Sequence, residues 1–165
     1  MPGGRQGAPG FDPQRLRAAR EAANLTRGAL ADAAGVHVSS ITEWEAGRQV
    51  PRIDKVAALA RALSIEPADL LQPVEGGALT LERLRVAAGL SQQQTAEAAG
   101  MLRNTYSAVE RGETAALSYT DTQALARVLS VTPDQLRAAH ASSRAAYLER
   151  HLRTSGRARR PDTDT

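Results

Sequence analysis

Residues 20–36 read REAANLTRGALADAAGV, and residues 85–101 read RVAAGLSQQQTAEAAGM. Laid over one another at an offset of 65, the two stretches place Gly35 on Gly100. The match continues downstream, with ITEWEAG (41–47) over YSAVERG (106–112) and, after one inserted residue, LARALSIEPADL (59–70) over LARVLSVTPDQL (125–136). Self-similarity in fixed register marks two copies of one supersecondary unit. Between the copies QPVEGGA (72–78) reads as a linker, because Pro73 stops a helix and Gly76 and Gly77 carry no local preference. Fully extended, those residues reach at most about 25 Å.

Each copy is punctuated as a run of short helices. In the first, Asp12 stands as an N-cap before Pro13, with Phe11 and Leu16 spaced for a hydrophobic staple, and the helix runs to about Ala23. Thr26 caps a second helix whose Ala29, Leu30, Ala33 and Ala34 form the expected apolar face before Gly35, a left-handed stop. A third helix over about Val38 to Glu45 turns Ile41 and Trp44 inward and ends at Gly47. A fourth carries Ile53, Val56, Leu59, Ala60 and Leu63, and a fifth opens at Glu66-Pro67 and buries Leu70. The second copy repeats the plan with Ser91 and Thr132 as caps, Pro133 opening its fifth helix, and Tyr106 and Val109 in place of Ile41 and Trp44. Beyond it, Leu136, Ala139, Ser143, Ala146, Tyr147 and Leu152 fall near one face of an extended last helix.

The expected architecture is therefore all-α: a disordered N-terminus over 1–10, domains over 11–71 and 79–137 joined by the 72–78 linker, a C-terminal helix over 138–153, and a disordered basic tail over 154–165. A 42% apolar content rich in alanine, with 3% aromatic residues, suits thin, closely packed helices. Cysteine is absent, which excludes a disulfide framework and thiolate metal sites. No stretch approaches the roughly 20 apolar residues of a membrane span. MPGGRQGAPG lacks the apolar core of a signal peptide, so a cytoplasmic, nucleoid-associated protein is expected. The net charge of +3 gives no broad basic surface, since acidic and basic residues balance in both copies and the excess lies in the tail.

Two helices joined by a glycine turn leave the outer face of the second free, and the major groove of B-DNA admits such a helix. LTRGALADAAGVHVSSITEWEAGRQVP (25–51) and LSQQQTAEAAGMLRNTYSAVERG (90–112) both resemble the Cro/lambda-repressor family of helix-turn-helix proteins, and the likeness covers 13–71 and 79–137. The resemblance implies two five-helix domains, each reading double-stranded DNA with its third helix. By position, it puts base readers at His37, Val38, Ser39, Thr42 and Glu43, and at Leu102, Arg103, Asn104, Ser107 and Ala108. Arg103 and Asn104 have the better chemistry, since arginine can bond guanine bidentately and asparagine can do the same with adenine. The family glutamine that opens the second helix and holds a phosphate is Gln92 in one copy and Arg27 in the other. Arg48, after the glycine ending the third helix, and Arg52 complete the DNA-binding set, whereas Glu113 in the place of Arg48 would repel the backbone.

Other readings of these residues are structural. Trp44 and Tyr106 face inward as core, and His37, His140 and His151 show no metal-ligand spacing. No nucleophile is marked by a motif, and the glycine pair lacks the continuation of a phosphate loop, so neither enzyme activity nor a cofactor is expected. The 20 arginines against the single Lys55 suggest a high-GC bacterial or phage genome. The expected function is transcriptional regulation, as a repressor, since no effector domain fits in the remaining residues. The alternative is an interaction module or antitoxin-like protein, in which one copy serves dimerisation or partner docking and the other alone binds DNA. The 138–153 helix offers the surface for a homodimer, and no small-molecule effector is visible in the sequence.

Overall fold

A computed structural model describes residues 7–73 and 78–157, with side chains to Arg153. Within these residues the chain forms α1 (Pro13–Ala22), α2 (Arg27–Ala34), α3 (Val38–Glu45), α4 (Ile53–Leu63), a 3-10 turn (Pro67–Leu70), α5 (Leu81–Ala87), α6 (Gln92–Ala98), α7 (Arg103–Arg111), α8 (Tyr119–Val128) and α9 (Pro133–Arg157). The only extended pairing among them is an isolated antiparallel bridge between Phe11 and Leu71. The fold is all-α, as the repeat predicts.

The helices begin where their caps dictate. Asp12 accepts from the backbone N–H of Gln14 and Arg15, Thr26 accepts from Ala29, and Gly35 ends α2 in the left-handed region at φ 61°. In the second copy Ser91 and Gln94 bond reciprocally, as do Thr132 and Gln135, so α6 and α9 both start on a capping box. His37 and Leu102 stand at the N-caps of α3 and α7 without a side-chain cap bond, as expected from their chemistry.

By proximity the described chain divides into two compact units, one over residues 7–73 with 83–94 and the other over 78–82 with 95–157. The division falls inside the second sequence copy, because Val86 of α5 is buried in the first unit's core. That core is built from Leu16, Leu30, Ile41, Val56, Leu59 and Leu70, with Phe11 and Trp44 closing it. On α2 the buried positions are Leu30, Ala31 and Ala34, whereas Ala29 and Ala33 are exposed. Leu30 and Ala34, one turn apart, set the inward direction; Ala31 and Ala33 flank it equally on either side, and the fold buries the Ala31 side.

Residues 7–10, expected in a disordered N-terminus, are instead held. Ala8 is buried and donates to the Pro51 carbonyl at 2.7 Å. The expected fifth helix of the first copy is only a four-residue 3-10 turn. In the second unit Tyr106, Val109, Leu125 and Leu136 are buried, and α9 packs against α7 and α8. The second copy's fifth helix and the C-terminal extension form one continuous helix, which buries Leu136, Ala139, His140 and Ser143. Ala146 and Leu152, expected on that face, are exposed. The glycine pair of the linker and the tail beyond Arg157 lie outside the described residues.

Candidate nucleic-acid interface

The turn after Gly35 releases α3 with Ile41 and Trp44 buried, and this phase decides what the opposite face shows. His37, Val38 and Ser39 are exposed, and Thr42 and Glu43 half-buried. The Thr42 hydroxyl donates to the Val38 carbonyl one turn earlier at 3.1 Å, so its hydrogen is already committed. Arg48, which follows the glycine ending the turn, donates through Nε and Nη2 to the two carboxylate oxygens of Glu43 at 2.9 and 2.8 Å. This bidentate pair lowers the Glu43 carboxyl pKa and raises that of Arg48. Arg52 pairs with Asp54 at 3.1 Å.

Behind α3 lies a buried charge cluster. Glu45, with its side chain only 2% exposed, receives Arg20 from α1 and Arg27 from the start of α2. Arg20 also donates from Nη1 to the Leu25 carbonyl at 2.9 Å and from Nη2 to the second Glu45 oxygen at 3.3 Å. Burial opposes ionisation of Glu45, but the hydrogen bonds from Arg20 and then Arg27 outweigh it and hold the carboxyl below its ordinary range. Arg27 spends only Nε on Glu45, at 2.8 Å, which leaves its terminal nitrogens without a partner among the described residues.

The α7 face is built differently. Leu102 is 78% exposed at the N-cap. Arg103 and Asn104 stand exposed on the first turn, with no hydrogen bond or ion pair among the described residues. Ser107 and Ala108, one turn on, are half-buried, and the Ser107 hydroxyl accepts from Arg111 Nη1 at 2.6 Å. Arg111 also chelates Glu113 through Nε and Nη2 at 2.7 and 3.2 Å. The Glu113 carboxylate, expected to repel a phosphate backbone, therefore carries its own counterion. That hydrogen-bonded pairing lowers the Glu113 pKa and raises that of Arg111. Gln92 is half-buried as the first residue of α6.

The end of α7 is clamped. Gly112 adopts φ 78°, and a Cβ there would run into the Ser143 carbonyl of α9. From the same helix Arg144 Nη1 donates to the carbonyls of Gly112 and Glu113, both at 3.0 Å. Reading the sequence for base contacts passed over Arg20, Arg111 and Arg144. Of these, Arg20 had a signal: it repeats as Arg85 and its partner Glu45 repeats as Glu110, both at the offset of 65. It also passed over Tyr119, 77% exposed at the first position of α8. Among the described residues no group of three or more His, Cys, Asp or Glu side chains could hold a metal ion, and no helix is long and apolar enough to cross a membrane.

Comparison with protein families gives two matches in tandem. Residues 16–70 match a family described as helix-turn-helix, and residues 78–139 match a helix-turn-helix domain family. No curated protein matches the chain. The matched segments contain the α2–α3 and α6–α7 pairs with their glycine turns, and together they cover well over half of the sequence. The chain belongs to the helix-turn-helix family, which it carries as two tandem domains.

Proposed function

We propose that this protein is a sequence-specific regulator of transcription, acting as a repressor in the bacterial cytoplasm, that reads the major groove of double-stranded DNA with α3 and α7. The observation that carries the reading is the first turn of α7, where Arg103 and Asn104 are exposed and without a partner among the described residues. These side chains have the donors and acceptors for guanine and adenine edges, and nothing in the described chain competes for them. Arg27, Arg48 and Gln92 serve the phosphate backbone, and Tyr119 adds a hydroxyl at the start of α8. The protein acts by binding, without a catalytic step or cofactor.

Because α3 and α7 present different side chains, one chain covers a composite, non-palindromic site. A second reading is supported by the ion pairs around α3. Arg27, Arg48 and Arg52 are each matched by a carboxylate, which suits a copy that docks a protein partner while α7 alone reads DNA. Selection of bound fragments from genomic DNA, with affinity followed against salt, tests both. A defined site should emerge whose affinity falls by orders of magnitude from low to moderate salt if about 4 to 8 phosphates are neutralised. Equal affinity for all sequences would end the proposal. A short palindrome held by two chains, each protecting one half-site, would establish the second reading.

A further inference from the structure

The C-terminal helix α9 has two apolar faces, and the fold uses one. Leu136, Ala139, His140 and Ser143 are buried in the second unit. On the opposite side Ala138, Ala141, Ala145, Leu148 and Leu152 succeed one another at intervals of 3, 4, 3 and 4 residues. All are exposed, Leu148 to 44% and Leu152 to 73%. This spacing is the a/d seam of a coiled coil, with a at 138, 145 and 152 and d at 141 and 148. A 3.5-residue repeat keeps such a stripe aligned along one side of a helix, and α9 at 25 residues is about 37 Å long.

The flanking residues say what covers the seam. In this register the g positions are Arg137, Arg144 and His151, and the e positions Gln135, Ser142 and Glu149. A parallel pair of α9 helices sets g of one against e of the next heptad of the other, which brings Arg144 to Glu149 of the second copy. An antiparallel pair sets g against g and opposes the Arg144 side chains to each other. Glu149 is exposed and has no partner among the described residues. Arg144 spends Nη1 on the Gly112 and Glu113 carbonyls and sets its guanidinium over the Tyr147 ring, which leaves Nε and Nη2 without a hydrogen-bond partner among the described residues. We infer that α9 pairs in parallel with α9 of a second copy of this chain, through Leu148 and Leu152 at the seam and Arg144–Glu149 pairs at its margins.

Three alanine layers let the helices approach closely but bury little surface, so the dimer is reversible and concentration-dependent. It is independent of DNA reading and is tested without DNA. The full chain has no cysteine, so Ala138→Cys and Leu152→Cys each introduce a unique thiol. In a parallel pair each variant, alone and mildly oxidised, forms a disulfide-linked dimer. Cross-linking only in the mixture of the two variants would show an antiparallel pair and overturn the inference. In sedimentation, the unmodified chain should show a monomer–dimer equilibrium, which Leu148→Arg with Leu152→Arg weakens at least tenfold while helical circular dichroism is unchanged. A chain that stays monomeric at the highest soluble concentration, with no cross-link in any variant, would equally overturn it.

Discussion

The recognition helices α3 and α7 occupy equivalent places in the repeat yet handle charge in opposite ways. Around α3 the cations are tethered: Arg48 to Glu43, Arg27 to Glu45, Arg52 to Asp54. On α7 a tether lies at the far end, between Arg111 and Glu113, and the first turn carries Arg103 and Asn104 without a partner among the described residues. A paired guanidinium is held in a set direction but must share its charge. An unpaired one is free to meet a base edge or phosphate. Two copies of one fold thus differ at the helix start, where α3 presents uncharged Val38 and Ser39 and keeps its ion pairs in its last turn and beyond, and α7 presents Arg103 and Asn104, although the sequences differ there by only a few side chains.

The largest expected effect lies in the support of α3. Glu45→Ala leaves the Arg20 guanidinium, whose side chain is only 10% exposed, with the exposed Glu21 as its remaining carboxylate partner. Breaking a buried pair on one side costs about 3–5 kcal/mol. Thermal unfolding followed at Trp44, the sole tryptophan and part of the first unit's core, should report this loss. An unfolding midpoint within a degree of the parent would show that the cluster does not hold α1 to α3.

On DNA the contrast should appear as two kinds of defect. Arg103→Ala and Asn104→Ala relax discrimination at particular base pairs, by roughly ten- to hundredfold for each lost bidentate contact. Arg48→Ala weakens all sites about equally and shallows the salt dependence. Glu43→Gln releases Arg48 from its chelate and should tighten binding at low salt several-fold. Binding isotherms across a panel of single-base operator variants separate these outcomes. An Arg103 variant that keeps the parental preference everywhere would move base reading away from the start of α7.

Most of the architecture was legible because its determinants are local. Asp12, Thr26, Ser91 and Thr132 cap the helices they were expected to cap, since a cap bond spans only two or three residues. Ile41, Trp44, Tyr106 and Val109 point inward because spacing alone sets helix phase. What escaped the reading was tertiary. Val86 buries in the first unit although it belongs to the second copy, and no periodicity announces which core a helix joins. The Glu43–Arg48 and Arg111–Glu113 chelates depend on how two flexible side chains turn, which spacing permits but does not dictate. Residues 7–10 read as tail because their anchor, the Pro51 carbonyl, lies about forty residues away.

The smallest effect separates the units by pH. His140 is buried on α9, and its Nε2 has no hydrogen-bond partner among the described residues. Burial pushes its pKa down and Arg144 adds to this, against a backbone hydrogen bond at Thr114 that favours the cation. The folded state therefore resists protonation. The stability this confers is complete above the ordinary histidine range and falls as pH drops through that range toward the depressed folded value. Glu45 in the first unit is likewise depressed, but as a carboxyl, so its contribution persists until pH falls below the ordinary carboxylate range. Acidification should loosen the second unit first. Histidine NMR titration alongside Trp44 fluorescence checks this, and simultaneous loss of both signals near pH 4 would contradict it.

The bridge between Phe11 and Leu71 has a consequence for how the first fold opens. Asp12 donates to the Leu70 carbonyl at 2.9 Å and Gln72 donates to that of Gly10 at 2.7 Å, so the two ends of the five-element fold are tied to each other. Such a contact, closed across sixty residues of chain, gains nothing until the helices between have formed, because the entropy of closing the loop must be met first. It belongs to the last step of folding and the first of local unfolding. The amides of Asp12 and Gln72 should then exchange with solvent as one group, at a common rate faster than those of α4: opening at either end is felt at once at the other, where the chain departs toward the second copy.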